Sequence, residues 1–185
     1  MSQFRLRAIM VIATILLFAM MLAINEWLFK NSEFVAGINW VYLPAGMRLL
    51  CTLLFGGAGA FGLLLVSWLV SFFYFFPNDF VRAFAGGIIA AIAPYAVYLI
   101  AQRTFGLRAS LANLTPGRLL ICIFAYSFAS PLLHHIWFAI HGDAQPLLHG
   151  FIVMFVGDLN GTLLVVYTVK LILHFVPVNK SRQVP

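Results

Sequence analysis

The sequence predicts an all-α fold: a polytopic membrane helix bundle of six transmembrane helices, with both termini cytoplasmic and a second helix open to a break at its proline. Three observations carry this. Of the 185 residues, 63% are hydrophobic and 9% charged, against roughly 45–50% and about 25% in an average globular domain. The apolar residues gather in runs near the ~20 residues that an α-helix needs to cross a bilayer. The eleven Lys and Arg residues, which set a formal net charge of +6, lie at the ends of those runs rather than on one element. Such a distribution reads as topology and excludes a nucleic-acid footprint. A single integral membrane domain, 1–185, with no soluble domain is therefore expected.

The first span, about 8–29, follows "MSQFRLR" and is longer than the roughly 7–15 apolar residues of a signal-peptide core, so it reads as a retained helix. The second, about 44–56, is short: the 12 residues Pro44 to Phe55 reach ~18 Å at about 1.5 Å per residue, against a hydrocarbon core of roughly 30 Å. It needs help to cross, and the apolar "EFVAGINWVYL" before it is expected as a re-entrant or interfacial segment broken at Pro44. The third span, about 59–76, is separated from the second by "GGAGAFG", which fits either a tight glycine turn or the middle of one long helix. Spans at about 83–101, 119–140 and 147–173 follow, with Pro94 and Pro131 expected to kink the fourth and fifth.

Charge decides the count. With six spans, Arg5, Arg7, Arg103, Arg108, Arg118, Lys180 and Arg182 are cytoplasmic, with Lys30 and Arg82 outside, which obeys the positive-inside rule. With five, most of that positive charge moves outside. Trp27, Trp40, Tyr42, Tyr74 and Trp137 then collect near the outer interface, and the acids Glu33, Asp79 and Asp143 also fall outside.

Asp158 interrupts the sixth run near its middle, where an acid costs about 2.5–3.5 kcal/mol on insertion scales. Gly157 and Gly161 form a G-x-x-x-G seam that lets a neighbouring backbone approach. Asp158 and Asn160 flank that seam, both expected to look inward, and Thr162 completes the polar turn. The acid is either a structural pin satisfied by neighbouring helices or part of a ligand, ion or signalling pocket. Arg48, within the second span, is its expected partner. Further packing seams are expected at Ala19 and Ala23 on the first helix and at Gly87 on the fourth. Glu26 reads as an interfacial acid and Lys170 as a snorkelling cation.

His134, His135 and His149 lie toward the outer halves of the last two helices and are considered as metal or haem ligands. Their spacing matches no diagnostic pattern, so interfacial, hydrogen-bonded imidazoles are expected and neither metal nor haem is assigned. Cys51 and Cys122 lack metal-ligand spacing and read as buried thiols. Ser130 lies near His134 and His135, but no nucleophile or paired-acid motif accompanies them, so an enzyme is not expected.

Two stretches, "NWVYLPAGMRLLCTLLFGGAGAFGLLL" and "FIVMFVGDLNGTLLVVYTVKLIL", together resemble MASE1, a membrane-associated sensor domain of bacterial signalling proteins. The matching positions are Pro44, Ala45, Gly46, Gly157, Asp158 and Gly161. MASE1 domains commonly have eight spans and an attached output domain, so the resemblance implies a non-enzymatic sensory or ligand-binding module that acts through a partner. In length, in six spans and in the small residues Ala19 and Ala23 on its first helix, the chain is also similar to substrate-binding S-components of energy-coupling-factor vitamin transporters. That resemblance implies docking to a transport partner; a structural subunit of a membrane complex is a further alternative. Either way the expected setting is the bacterial cytoplasmic (inner) membrane, with lipid, another membrane protein and a small molecule as partners.

Overall fold

The computed structural model describes residues 2–108, 111, 113–142 and 147–175. Asp143, Lys180 and Arg182 of the charge argument lie outside the described residues. Among those residues the chain forms six α-helices: α1 Gln3–Phe29, α2 Leu43–Phe55, α3 Gly57–Val70, α4 Phe80–Phe105, α5 Pro116–His141 and α6 Leu147–Phe175. Strands β1 Glu33–Val35 and β2 Ile38–Asn39 form an antiparallel hairpin between α1 and α2. Five helices are long and apolar enough to cross a membrane, α3 only together with the stretch that continues it to Phe75, and α2 is too short. The outer surface of the bundle agrees, since Phe4, Leu16, Trp27, Phe73, Ile140 and Phe175 are exposed, as suits a protein whose solvent is lipid.

The short α2 is the centre of the bundle. It touches each of the other five helices, and ten of its 13 residues are buried. Its length is no obstacle, because it is wrapped by protein rather than by lipid. The expected break at Pro44 is absent: Pro44 sits in the first turn of α2, where a missing N–H costs nothing. The segment expected as re-entrant or interfacial is folded as the hairpin, which turns at Gly37 with φ +82° and is braced by the Gly37 N–H donating to Glu33 Oε1 at 3.1 Å. No side chain of its own caps α2. Instead the wholly buried Asn25 of α1 reaches across and accepts the Leu43 N–H at 2.9 Å.

Between α2 and α3 the chain reverses at Gly56, φ +54° and ψ −128°, so "GGAGAFG" does mark a tight turn. A side chain there would also meet the Tyr98 hydroxyl at 2.8 Å. At its far end α3 continues into a π-helical stretch, Ser71–Phe75. Pro94 and Pro131 both fall inside continuous helices.

Glycines set the closest crossings. A Cβ at Gly157 would run into the Asn39 carbonyl oxygen, and one at Gly161 into the Tyr42 carbonyl oxygen. The G-x-x-x-G seam of α6 thus receives the backbone leading into α2, and the Tyr42 N–H donates to the Gly157 carbonyl at 3.1 Å. From the other side, a Cβ at Gly46 would lie 2.7 Å from Val165 Cβ and 3.0 Å from Thr162 Cα. Gly87 admits the indole of Trp68. Ala19 and Ala23 are the exception among the expected seams, because both are exposed on α1.

Candidate functional site

The hairpin roofs a cavity of about 60 Å³, lined by Phe18 of α1 and by residues of α2 to α6. At liquid density that holds about two waters. Gly37 and Ile38 form part of the roof, while Arg48, Arg82 and His134 bring cationic or basic nitrogen to its walls. No carboxylate among the described residues lines it.

Each polar group is placed by its helix. Arg48 lies just past the first turn of α2 and is 7% exposed. Its guanidinium stacks over two rings, 5.2 Å from the centroid of Phe18 and 5.3 Å from that of Tyr42, and its Nε is buried without a hydrogen-bond partner. Arg82 is set by the α4 cap, where Asp79 Oδ1 accepts the Arg82 N–H at 3.0 Å. Its guanidinium lies 4.6 Å from the centroid of Phe76 and 5.1 Å from that of Phe138. The π-helical stretch brings Ser71 and Phe75 to the wall; such turns are frequent where a helix has been reshaped for function.

His134 shows its chemistry through its backbone contact. Its Nδ1 is 2.8 Å from the Ser130 carbonyl oxygen, which can only accept, so Nδ1 carries the proton and Nε2 is left as an acceptor. His135 makes the same contact with the Pro131 carbonyl at 2.9 Å and packs against Gly150. His149 instead lies against Phe34, ring centroids 4.6 Å apart. Among the described residues no group of three or more His, Cys, Asp or Glu is arranged to hold a metal.

Asp158 lies deeper, 1% exposed, and neither carboxylate oxygen makes a hydrogen bond. Arg48 and Ser130 are within electrostatic reach of it. Thus the expected Arg48 and Asp158 are brought into one neighbourhood, but as charges acting at a distance rather than as a closed pair. Around them the hydroxyls of Tyr126, Ser127, Ser130 and Thr162 are buried without a hydrogen bond of good geometry, Tyr126 standing beside Arg48 and Ser130 beside Asp158. Within α6, Asp158 and Thr162 are four apart and so share a face, as do Ser127 and Ser130 on α5.

Asn160 departs from expectation. It is exposed, and its Nδ2 reaches only the Trp40 carbonyl at 3.5 Å. Pro44 and Gly46 serve packing: one starts α2, the other admits α6. Glu26 accepts the Tyr74 hydroxyl at 2.8 Å. The two free cysteines, Cys51 and Cys122, are buried as expected.

Arg82 was legible as a site residue and was read only as flanking charge. Arg82, Gly86 and Ala90 recur every fourth residue and share one face of α4, and all three line the cavity. The roof and the π-helical wall carried no comparable signal.

No protein-family model, curated protein or solved structure matches the chain. What the fold and site define is a class: a multi-pass helical membrane bundle with a cationic cavity near one end and an acid at its centre.

Proposed function

We propose that the chain is a non-enzymatic, ligand-binding module of the bacterial cytoplasmic membrane, with six spans, both termini inside and the hairpin outside, that acts through a partner protein. The carrying observation is Arg48: a buried guanidinium whose Nε has no partner, opening on a cavity walled by aromatic rings. A buried donor left without a partner is costly, and membrane proteins place ionisable groups where ligands or ions are handled. The sidedness follows from the cytoplasmic Arg cluster, and the partner from the resemblance to MASE1 sensor domains.

The test is purification in mild detergent with mass spectrometry of retained proteins and small molecules. Ser67, buried in the cavity wall, is the control position. A small molecule retained by the natural chain and lost in a folded Ser67→Leu variant supports the reading. Equal retention by Ser67→Leu places the ligand elsewhere and refutes it.

One observation favours a second reading, a substrate-binding subunit of a small-molecule transporter. Ala19 and Ala23 make a small-residue stripe on α1 that is exposed, as a docking face for a transport partner requires. Loss of a co-purifying membrane scaffold on Ala19→Leu or Ala23→Leu distinguishes it from sensing.

A further inference from the structure

A second recess lies at the end of the bundle away from the hairpin, and it stands apart from the ligand-binding reading above. It arises because α2 is short. The chain reverses at Gly56, while α1 and α4 run on past that level. A Cβ at Gly62 would lie 2.9 Å from the Val11 carbonyl oxygen, a register that carries α1 about one turn beyond the reversal. Gly56 itself lies against the Tyr98 hydroxyl, and α4 continues from there to Phe105, about two turns further. The set-back leaves an open groove of about 720 Å³ between the start of α1, the reversal and Tyr98, within the roughly 300–1,000 Å³ of ligand sites.

The lining has two characters. Leu6, Leu54 and Phe61 give it a wall as apolar as a lipid tail, and all three are exposed. Its polar side chains are Gln3, Arg7 and Tyr98. Gln102 Nε2 donates to the Tyr98 hydroxyl at 2.6 Å, which leaves the phenolic O–H to donate in turn.

Charge at this end has one sign. Arg5, Arg103, Arg108 and Arg118 join Arg7 there. Among the described residues no acid does, since Glu26, Glu33 and Asp79 stand at the hairpin end and Asp158 in the interior. An anionic head is therefore attracted, whereas a zwitterionic one brings a further cation to an end that holds only cations.

We propose that this groove holds one anionic phospholipid, its phosphate against Arg7 and Tyr98 and an acyl chain along Leu6, Leu54 and Phe61. A basic residue near the membrane surface is worth about 1 kcal/mol toward anionic lipid, which is about fivefold in affinity.

The full chain is reconstituted with equal amounts of phosphatidylglycerol and phosphatidylcholine, extracted in mild detergent and read by native mass spectrometry, which counts the lipids that stay bound. One phosphatidylglycerol is expected to stay, at several times the occupancy of phosphatidylcholine. Arg7→Gln should weaken that preference about fivefold. Arg5→Gln removes the same charge from the same helix but lies outside the lining, so the preference should persist. Both arginines are exposed, so neither substitution disturbs packing. Ala58→Trp fills the groove from the first turn of α3 with every charge in place, and it should release the lipid.

Equal losses in Arg7→Gln and Arg5→Gln mean diffuse attraction to a charged surface and overturn the site. Phosphatidylcholine retained as well as phosphatidylglycerol overturns it too, as does a folded Ala58→Trp variant that keeps its lipid. A natural chain extracted as a lipid-free dimer gives the groove to a second copy instead. None of these outcomes bears on the retained-ligand experiment, because Ser67 lines the separate cavity under the hairpin.

Discussion

Gly157→Ala tests whether the seam on α6 holds the bundle together. The added methyl runs into the Asn39 carbonyl oxygen, with Trp40 C only 3.4 Å away, so backbone rather than a mobile side chain must yield. Overpacking of this kind costs about 1–3 kcal/mol. Separating the strands of the contact also strains the hydrogen bond from the Tyr42 N–H to the Gly157 carbonyl, 3.1 Å long, whose loss is worth about 1 kcal/mol. Against these, alanine is favoured over glycine in a helix interior by about 1 kcal/mol. The net is a destabilisation of about 1–3 kcal/mol, or a fall in Tm of roughly 2–12 °C for a chain of this size. Thermal unfolding in one detergent, followed by circular dichroism, measures it. Gly117→Ala is the control, since nothing lies within 4 Å of a Cβ there, and it should be neutral or slightly stabilising. A Gly157→Ala variant as stable as Gly117→Ala would refute the close-approach argument.

Three further outcomes are expected. Asn25→Leu strands the Leu43 N–H that Asn25 Oδ1 now accepts at 2.9 Å, costing about 1–3 kcal/mol; an unchanged Tm shows that the α2 terminus needs no cap from α1. Gly56→Ala puts a side chain at φ +54° and against the Tyr98 hydroxyl, so it should lower Tm, about 1–3 kcal/mol for such backbone strain, whereas Gly57→Ala next to it, with Tyr95 Oη at 3.7 Å, should not. Asp158→Asn keeps the shape of the side chain and removes a buried carboxylate whose two oxygens make no hydrogen bond, a costly group to bury, so Tm should stay level or rise; a clear fall in Tm means that the acid is held by partners that an amide cannot replace.

The helices were legible because length and apolar composition alone dictate them, and the Gly56 reversal because charge required two elements where hydropathy permitted one. Gly157 and Gly161 were legible as a seam but not what fills it. The spacing predicts close approach, and a helix was the natural guest, whereas the structure supplies the extended backbone from Asn39 to Leu43. The hairpin was missed because "EFVAGINWVYL" is largely apolar and offers no regular alternation to mark a strand. Asn25 was missed because a lone amide near a helix end looks interfacial, and only the fold shows that it caps a helix 18 residues away. Asn160 went wrong for a simpler reason: flanking a seam by about 80° leaves a side chain free to face either way, and Asp158 took the inner side.

The two motifs that stood out in the sequence meet in one segment. Residues 37–48 roof the cavity through Gly37 and Ile38, wall it through Tyr42 and Arg48, and lie in the α6 seam at Asn39 and Tyr42. A change at the seam must therefore move the cavity wall. Gly161 does not line the cavity, yet a Cβ there runs into the Tyr42 carbonyl oxygen, and the Tyr42 ring is one of the two that stack on Arg48. Gly161→Ala should therefore shift the emission of Trp137 in the cavity wall as well as lower Tm, while leaving every lining residue unaltered. Trp137 emission, assigned by Trp137→Phe, and thermal unfolding measure the two sides of this relation independently. If Gly161→Ala lowers Tm but leaves the Trp137 emission unchanged, then the seam and the cavity are separate features of the fold, and segment 37–48 does not connect them.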